Sequence, residues 1–183
     1  MNILIIGGAG FLGCNVVKRC LADSSNIITV LDSLDPVLKT DRRHLDSFGG
    51  AVKFIQGDMR DRALIEKVVA DKQVIFNFAG QTSHPLSLSD PLFDADINCK
   101  GHLMVLEAMK VVNPKAHIIY TSSSTVIGKS KDDIVTEDHS ERPLDIYSAN
   151  KGVAEKYYYI YHRVHGLNAT IVRFANLYGP YGK

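Results

Sequence analysis

Six short runs of branched and apolar residues recur along this chain with helical stretches between them. That alternation constrains the fold more than any other feature. The runs are NILII (2–6), IITVL (27–31), VKFIQ (52–56), VIFNF (74–78), AHIIYTS (116–122) and NATIVRF (168–174). Strands that are apolar nearly end to end are buried on both faces, the mark of a parallel sheet. The stretches between them carry helical spacing. Residues 11–22 are apolar at Phe11, Leu12, Val16, Val17, Cys20 and Leu21, and residues 61–70 align Leu64, Ile65, Val68 and Val69. Two longer patterns cover 91–112, with Leu103, Leu106 and Met109, and 147–165, whose tyrosines read as packing residues. Strand and helix in strict turn give βαβ units with right-handed crossovers. The expected fold is α/β: a doubly wound parallel sheet of the Rossmann type, strand order 3-2-1-4-5-6. Residues 33–50 show no strand; 41–47 reads as a short helix and SFGG as a turn. With no repeat, low-complexity tract or linker, residues 1–183 read as one domain.

Composition narrows the function classes. A chain of 183 residues with 45% hydrophobic and 22% charged residues has enough material for a full core. A formal charge of +1 gives no bulk attraction to nucleic acid or anionic membrane. Cys14, Cys20 and Cys99 are widely spaced and odd in number, which suits neither a disulfide framework nor a zinc site. No metal site is expected, and a reducing, cytoplasmic setting fits best. The opening MNILIIGGAG has no basic n-region and too short an apolar run for a signal peptide or membrane span.

The first strand runs straight into GGAGFLG (7–13). Its glycines fit GxxGxxG through Gly7, Gly10 and Gly13, or GxGxxG through Gly8, Gly10 and Gly13. Such a turn brings backbone close to a pyrophosphate and aims a helix N-terminus at its charge. The second strand leads to Asp32, 19 residues after Gly13. A carboxylate there accepts both ribose hydroxyls and repels a 2′-phosphate, so NAD is favoured over NADP. Asp58, after the third strand, suits either an adenine amino group or a helix cap. Ala79 and Gly80 leave room for a cofactor backbone or simply form a turn.

The catalytic candidates follow the fifth strand. Ser122, Ser123 and Ser124 lie where ligands sit in such sheets, beyond the carboxyl ends of the strands. Helix 147–165 opens with Tyr147, and Lys151 follows at i+4 on the same face. A nearby ammonium and a helix N-terminus both favour phenolate. Tyr147 is therefore expected to titrate closer to neutrality and to act as a general base on a substrate hydroxyl, with a serine holding the same oxygen.

Taken in order, GGAGFLG (7–13), Asp32, GDMRD (57–61), FAGQTS (78–83), DPLFDADINCKG (90–101), SSSTVIG (122–128), YSANK (147–151) and RFANLYGP (173–180) resemble the extended short-chain dehydrogenase/reductase family, in its branch of nucleotide-sugar epimerases and dehydratases. The resemblance covers nearly the whole chain. It implies NAD held by Gly7, Gly10, Phe11, Leu12, Asp32, Ser33, Asp58, Met59, Phe78, Ala79, Gly80, Gln81 and Asn98, together with Tyr147 and Lys151. It implies Tyr147 as base and Lys151 on the nicotinamide ribose. The family's catalytic Ser or Thr lies five residues before the Gly of a VYG motif; here that Gly is Gly128, so the matching residue is Ser123, with Ser122 and Ser124 as alternatives. Ile127 stands where the family has Tyr. Thr125 and Asn176 match substrate positions, Asn176 near the diphosphate.

The family's 4,6-dehydratases carry an Asp-Glu pair after the catalytic Ser or Thr, where this chain has Ser124 and Thr125. The resemblance therefore points to epimerisation of a UDP-sugar through a transient 4-keto intermediate. The FAGQTS loop is also similar to loops of 2-epimerases. Another sugar dehydratase or reductase, or a non-catalytic NAD-binding module, are the alternatives. Family members continue into a smaller C-terminal substrate-binding domain, for which these 183 residues hold no counterpart. They commonly dimerise through the helices matching 91–112 and 147–165, so a homodimer is expected.

Overall fold

The computed structural model describes residues 1–183 except 39, 131 and 183. The six apolar runs form one sheet of β1 (Asn2–Ile6), β2 (Ile27–Asp32), β3 (Val52–Gln56), β4 (Val74–Asn77), β5 (His117–Ser123) and β6 (Asn168–Phe174). The strand order is β3-β2-β1-β4-β5-β6, and every pairing is parallel. Each strand lies within a residue of its apolar run.

Among the described residues seven α-helices connect the strands: α1 (Phe11–Cys20), α2 (Arg43–Asp46), α3 (Arg62–Val69), α4 (His84–Ser89), α5 (Pro91–Ala95), α6 (His102–Val112) and α7 (Ile146–His165). Because strand side chains alternate between faces, β1 serves two cores. Ile3 and Ile5 pack with Ile28, Val30, Cys14 and Val17 beneath α1 and α2. Leu4 and Ile6 pack with residues of α3, α6 and α7, including Ile65, Leu106, Met109 and Tyr158. At the β6 edge, Ile171 stays 36% exposed.

The segment expected as one helix over 91–112 is broken in character. Between α5 and α6, Asp96–Gly101 forms a π-helical turn. This wider turn carries Asn98, whose amide donates to the Gln81 carbonyl at 2.9 Å and to Asp94 at 3.1 Å. Such turns interrupt α-helices where a side chain has a separate task. The cap of α3 is Asp61, which accepts from the Leu64 N–H at 3.1 Å; Asp58 does not cap it. α7 begins at Asp145, whose carboxylate accepts from the Ser148 N–H at 2.7 Å, and ends at Gly166 with φ +70°.

Candidate functional site

A cleft of about 1270 Å³ runs across the carboxyl ends of the strands, where open parallel sheets bind ligands. Gly7, Gly10, Phe11, Leu12, Asp32, Ser33, Asp58, Met59, Phe78, Ala79, Gly80, Gln81, Ser123, Thr125, Tyr147, Lys151 and Asn176 all line it. Asn98 does not; it is fully buried behind Gly80.

The glycine turn is built from close contacts. Gly7 has φ +77°, and a Cβ there would lie 2.5 Å from the Ala79 amide nitrogen. Its own N–H donates to the Leu31 carbonyl at 2.8 Å. A Cβ on Gly13 would lie 2.5 Å from the Gly7 carbonyl oxygen, so the turn closes tightly onto α1. No side chain caps the α1 N-terminus, and its first turn holds no acid. The amides there remain available to an anion.

Asp32 ends β2 and is 7% exposed. It accepts from the N–H of Ala9 and of Leu34, each at 3.0 Å. Burial pushes its carboxyl up, while those two amides pull it down. Each oxygen takes one of these bonds and keeps a lone pair for a further donor. Arg42 and Arg43 are engaged with Asp46 and Asp41.

Asp58 is otherwise occupied. Its carboxylate accepts from the Arg60 backbone N–H at 2.8 Å and from the Arg60 guanidinium at 2.9 and 2.6 Å. Arg60 also binds Asp96. The bonds from Arg60 hold the Asp58 carboxyl below its ordinary value. This ties the end of β3 to the π turn, so the adenine contact expected of the Asp58 side chain competes with a salt bridge.

At the other end, the structure brings Ser123, Tyr147 and Lys151 together. Ser123 Oγ lies 2.8 Å from Thr125 Oγ1 and accepts from the Thr125 N–H at 3.2 Å. The Ser148 hydroxyl donates to Thr125 Oγ1 at 2.9 Å. Ser122 is buried, with no hydrogen-bond partner for Oγ among the described residues, and Ser124 is exposed. Burial pushes the Tyr147 phenol above its ordinary value, and hydrogen bonding with Ser123 draws it back. The expected lowering by Lys151 is not the dominant effect in the chain alone. The reason is geometric: the Lys151 ammonium donates to the Thr121 carbonyl at 2.7 Å and sits 6.0 Å from the Tyr147 ring.

Lys151 itself is 4% exposed. Burial drives it down to about 8, while the charges of Asp94 and Glu155 hold it up. Asp94 is a residue that sequence reasoning missed. It is fully buried and accepts from three amides: Gln81 at 2.7 Å, Asn98 at 3.1 Å and Asn150 at 2.8 Å. Those donors come from the β4 loop, the π turn and α7, so one carboxylate joins the three walls around Lys151. Also missed was His84. Its Nδ1 bonds Asp145, and its ring meets Tyr147 edge to face at 4.7 Å. Asp94 lies inside DPLFDADINCKG (90–101) and His84 directly follows FAGQTS (78–83), the nearest thing to a sequence signal for either.

The cleft fits a dinucleotide on its own geometry. The uncapped α1 N-terminus suits a pyrophosphate, and Asp32 suits a pair of hydroxyls. At Gly80 the wall has no side chain; a Cβ there would lie 2.8 Å from Asn98 Oδ1, a buried oxygen with no partner among the described residues. No group of three or more His, Cys, Asp or Glu among the described residues is placed to hold a metal, and none of the described helices is long and apolar enough to cross a membrane.

Comparison with known proteins gives the family. The chain is 32% identical to a putative UDP-glucose 4-epimerase of Methanocaldococcus jannaschii over 97% of its own length and 56% of that protein's. It superposes on the UDP-N-acetylglucosamine 4-epimerase of Methanobrevibacter ruminantium, solved with UDP-N-acetylmuramic acid, with a TM-score of 0.91 and 30% identity, covering 100% of this chain and 57% of that one. It also superposes on DesIV, a dTDP-glucose 4,6-dehydratase of Streptomyces venezuelae solved with NAD bound, with a TM-score of 0.93 and 28% identity, covering 99% and 57%. The chain thus spans little more than half the length of these proteins. Residues 3–183 match the NAD dependent epimerase/dehydratase family, and the chain belongs to that family.

Proposed function

We propose that this chain is the cofactor-binding and catalytic part of an NAD-dependent nucleotide-sugar epimerase, acting on a UDP-sugar at C4 through a transient 4-keto sugar. A smaller C-terminal domain grips the nucleotide sugar in the complete protein. The observation that carries this reading is the absence of a carboxylate beside Ser123. Ser124 and Thr125 occupy the next two positions, and Thr125 Oγ1 is already held between Ser123 and Ser148. Water elimination needs an acid and base there; oxidation and re-reduction at one carbon do not.

Tyr147 takes the proton of the substrate hydroxyl, and Ser123 holds that oxygen in line. Lys151 would grip the nicotinamide ribose, and its ammonium stands 6.0 Å from the Tyr147 ring, a positive charge that favours phenolate against the burial that disfavours it. Bound NAD supplies reversible hydride transfer and a further positive charge beside Tyr147. Gly7, Gly10, Phe11 and Leu12 hold the pyrophosphate, and Asp32 with Ser33 holds the adenosine ribose. Met59, the backbone at Asp58, and Phe78 through Gln81 line the remaining length, with Asn98 behind them. Thr125 and Asn176 face the sugar nucleotide. A homodimer through α5, α6 and α7 is supported by exposed apolar side chains on them, including Leu92 at 81%, Tyr159 at 61% and Val164 at 68%. The setting is the cytoplasm.

The test is product analysis on the protein with its substrate domain, supplied with UDP-glucose and catalytic NAD. Appearance of UDP-galactose with no net NADH supports the reading. Stoichiometric NADH with an oxidised sugar overturns it. The likeness to DesIV supports a second reading, dehydration; release of a 4-keto-6-deoxy sugar nucleotide would select it. Binding of NAD with no turnover of any nucleotide sugar would mark a non-catalytic module.

A further inference from the structure

His84 opens α4 just after the β4 loop, with Ser83 as its cap. Its imidazole lines the same cleft as Tyr147 and is 45% exposed. Two contacts fix it. Nδ1 bonds the Asp145 carboxylate, and the ring packs edge to face on Tyr147 at 4.7 Å. Asp145 is also the cap that starts α7, through the Ser148 N–H. The imidazole and the phenol therefore share one anchor, and their relative position is set by a capped helix rather than by a free loop. With Nδ1 committed to Asp145, the nitrogen left for a ligand is Nε2.

We propose that His84 is a substrate-contacting residue: Nε2 hydrogen-bonds a sugar hydroxyl neighbouring the carbon whose oxygen Tyr147 serves. This rests on the epimerase reading above and adds a determinant of which sugars are accepted. A hydroxyl suits the site in either protonation state, because it can donate to a neutral imidazole or accept from a charged one. The contact orients the ring so that the reacting oxygen stays on Tyr147 and Ser123. A site built to bond a hydroxyl discriminates strongly against the sugar that lacks it.

The experiment uses the complete protein with NAD and a set of UDP-sugars, each missing one hydroxyl. The unaltered protein is expected to lose roughly 10–100-fold in kcat/KM on one of them, the range for a lost bond in the reacting complex. His84→Phe keeps the ring packing on Tyr147 and removes both nitrogens, the one bonded to Asp145 included. It is expected to lose a similar factor on the full sugar and no longer to distinguish the deoxy analogue. NAD affinity by calorimetry should be unchanged, which a role in shaping the cofactor cleft would not allow. If His84→Phe and His84→Asn both keep kcat/KM within about twofold, or if NAD affinity falls in step with activity, the proposal is wrong. Tyr147→Phe separates the two layers. Should it abolish turnover while both His84 variants remain active, the contact fails and the epimerase reading stands. Absence of nucleotide-sugar turnover in the unaltered protein overturns both.

Discussion

Replacing Lys151 by methionine is expected to stabilise the fold at neutral pH. The side chain is 4% exposed, so solvent screening gives little relief. Its ammonium falls from the ordinary 10.5 to about 8, and at about 1.4 kcal/mol per pH unit that is ~3 kcal/mol of strain on the charged form. The sign follows from linkage. Between pH 8 and 10.5 the unfolded chain binds the proton and the folded chain does not, so stability rises with pH across that window. Below pH 8 the full penalty is present, and above 10.5 it is gone. Methionine fills similar volume without charge but leaves the Thr121 carbonyl without its 2.7 Å donor, a loss of about 1–2 kcal/mol. The expected net gain at pH 7 is therefore ~1–2 kcal/mol. Urea unfolding of both proteins at pH 7, 8.5 and 10.5 reads it out. The more telling quantity is the change in their difference, which should shift by ~3 kcal/mol against the variant as pH rises, because pH-independent terms and the shared tyrosines cancel. A difference that stays flat across that range would refute the account of a penalised buried ammonium.

Other outcomes follow from the same geometry. Gly7→Ala must place a methyl 2.5 Å from a backbone nitrogen at φ +77°, and should lower stability by at least ~2 kcal/mol in thermal melts. Asp94→Asn removes the charge that sustains Lys151 and puts an amide where three amides donate; it should cost ~2–4 kcal/mol in urea unfolding. Asp145→Ala loses the α7 cap and should cost ~1 kcal/mol, seen as a lower melting temperature. Asp32→Ser, with its carboxylate gone, should bind NAD more weakly and NADP relatively better when both are titrated by calorimetry.

Much of this was legible in the sequence because it is written in local patterns. The strands are short branched runs, and their register alternates so plainly in β1 that Ile3 and Ile5 part from Leu4 and Ile6 by face. Gly7 follows β1, Asp32 and Ser123 end β2 and β5, and Tyr147 and Lys151 lie in the first turns of α7, so the parallel topology brings them all to the carboxyl end of the sheet. What escaped depends on distance through space. The π turn at Asp96–Gly101 carries the same apolar spacing as an α-helix and is set by what Asn98 reaches. His84 meets Asp145 across 61 residues of sequence, and nothing local announces the pair. Arg60 takes the Asp58 carboxylate from two residues away, a contact that spacing allows but does not demand. The direction of the Tyr147 shift turned on how deeply the phenol is buried, a quantity that position in a helix does not convey.

The central place of β1 has a consequence for how the chain is made. β1 emerges first, yet one of its two neighbours, β4, lies 71 residues further on, as the bond from the Asn2 N–H to the Gln73 side chain shows. Until β4 leaves the ribosome, one edge of β1 has no strand beside it. Leu4 and Ile6 meanwhile wait for α6 and α7, which come later still. A nascent chain of this order carries an open, aliphatic strand edge until β4 follows, the kind of surface that chaperones hold and that aggregates when they do not.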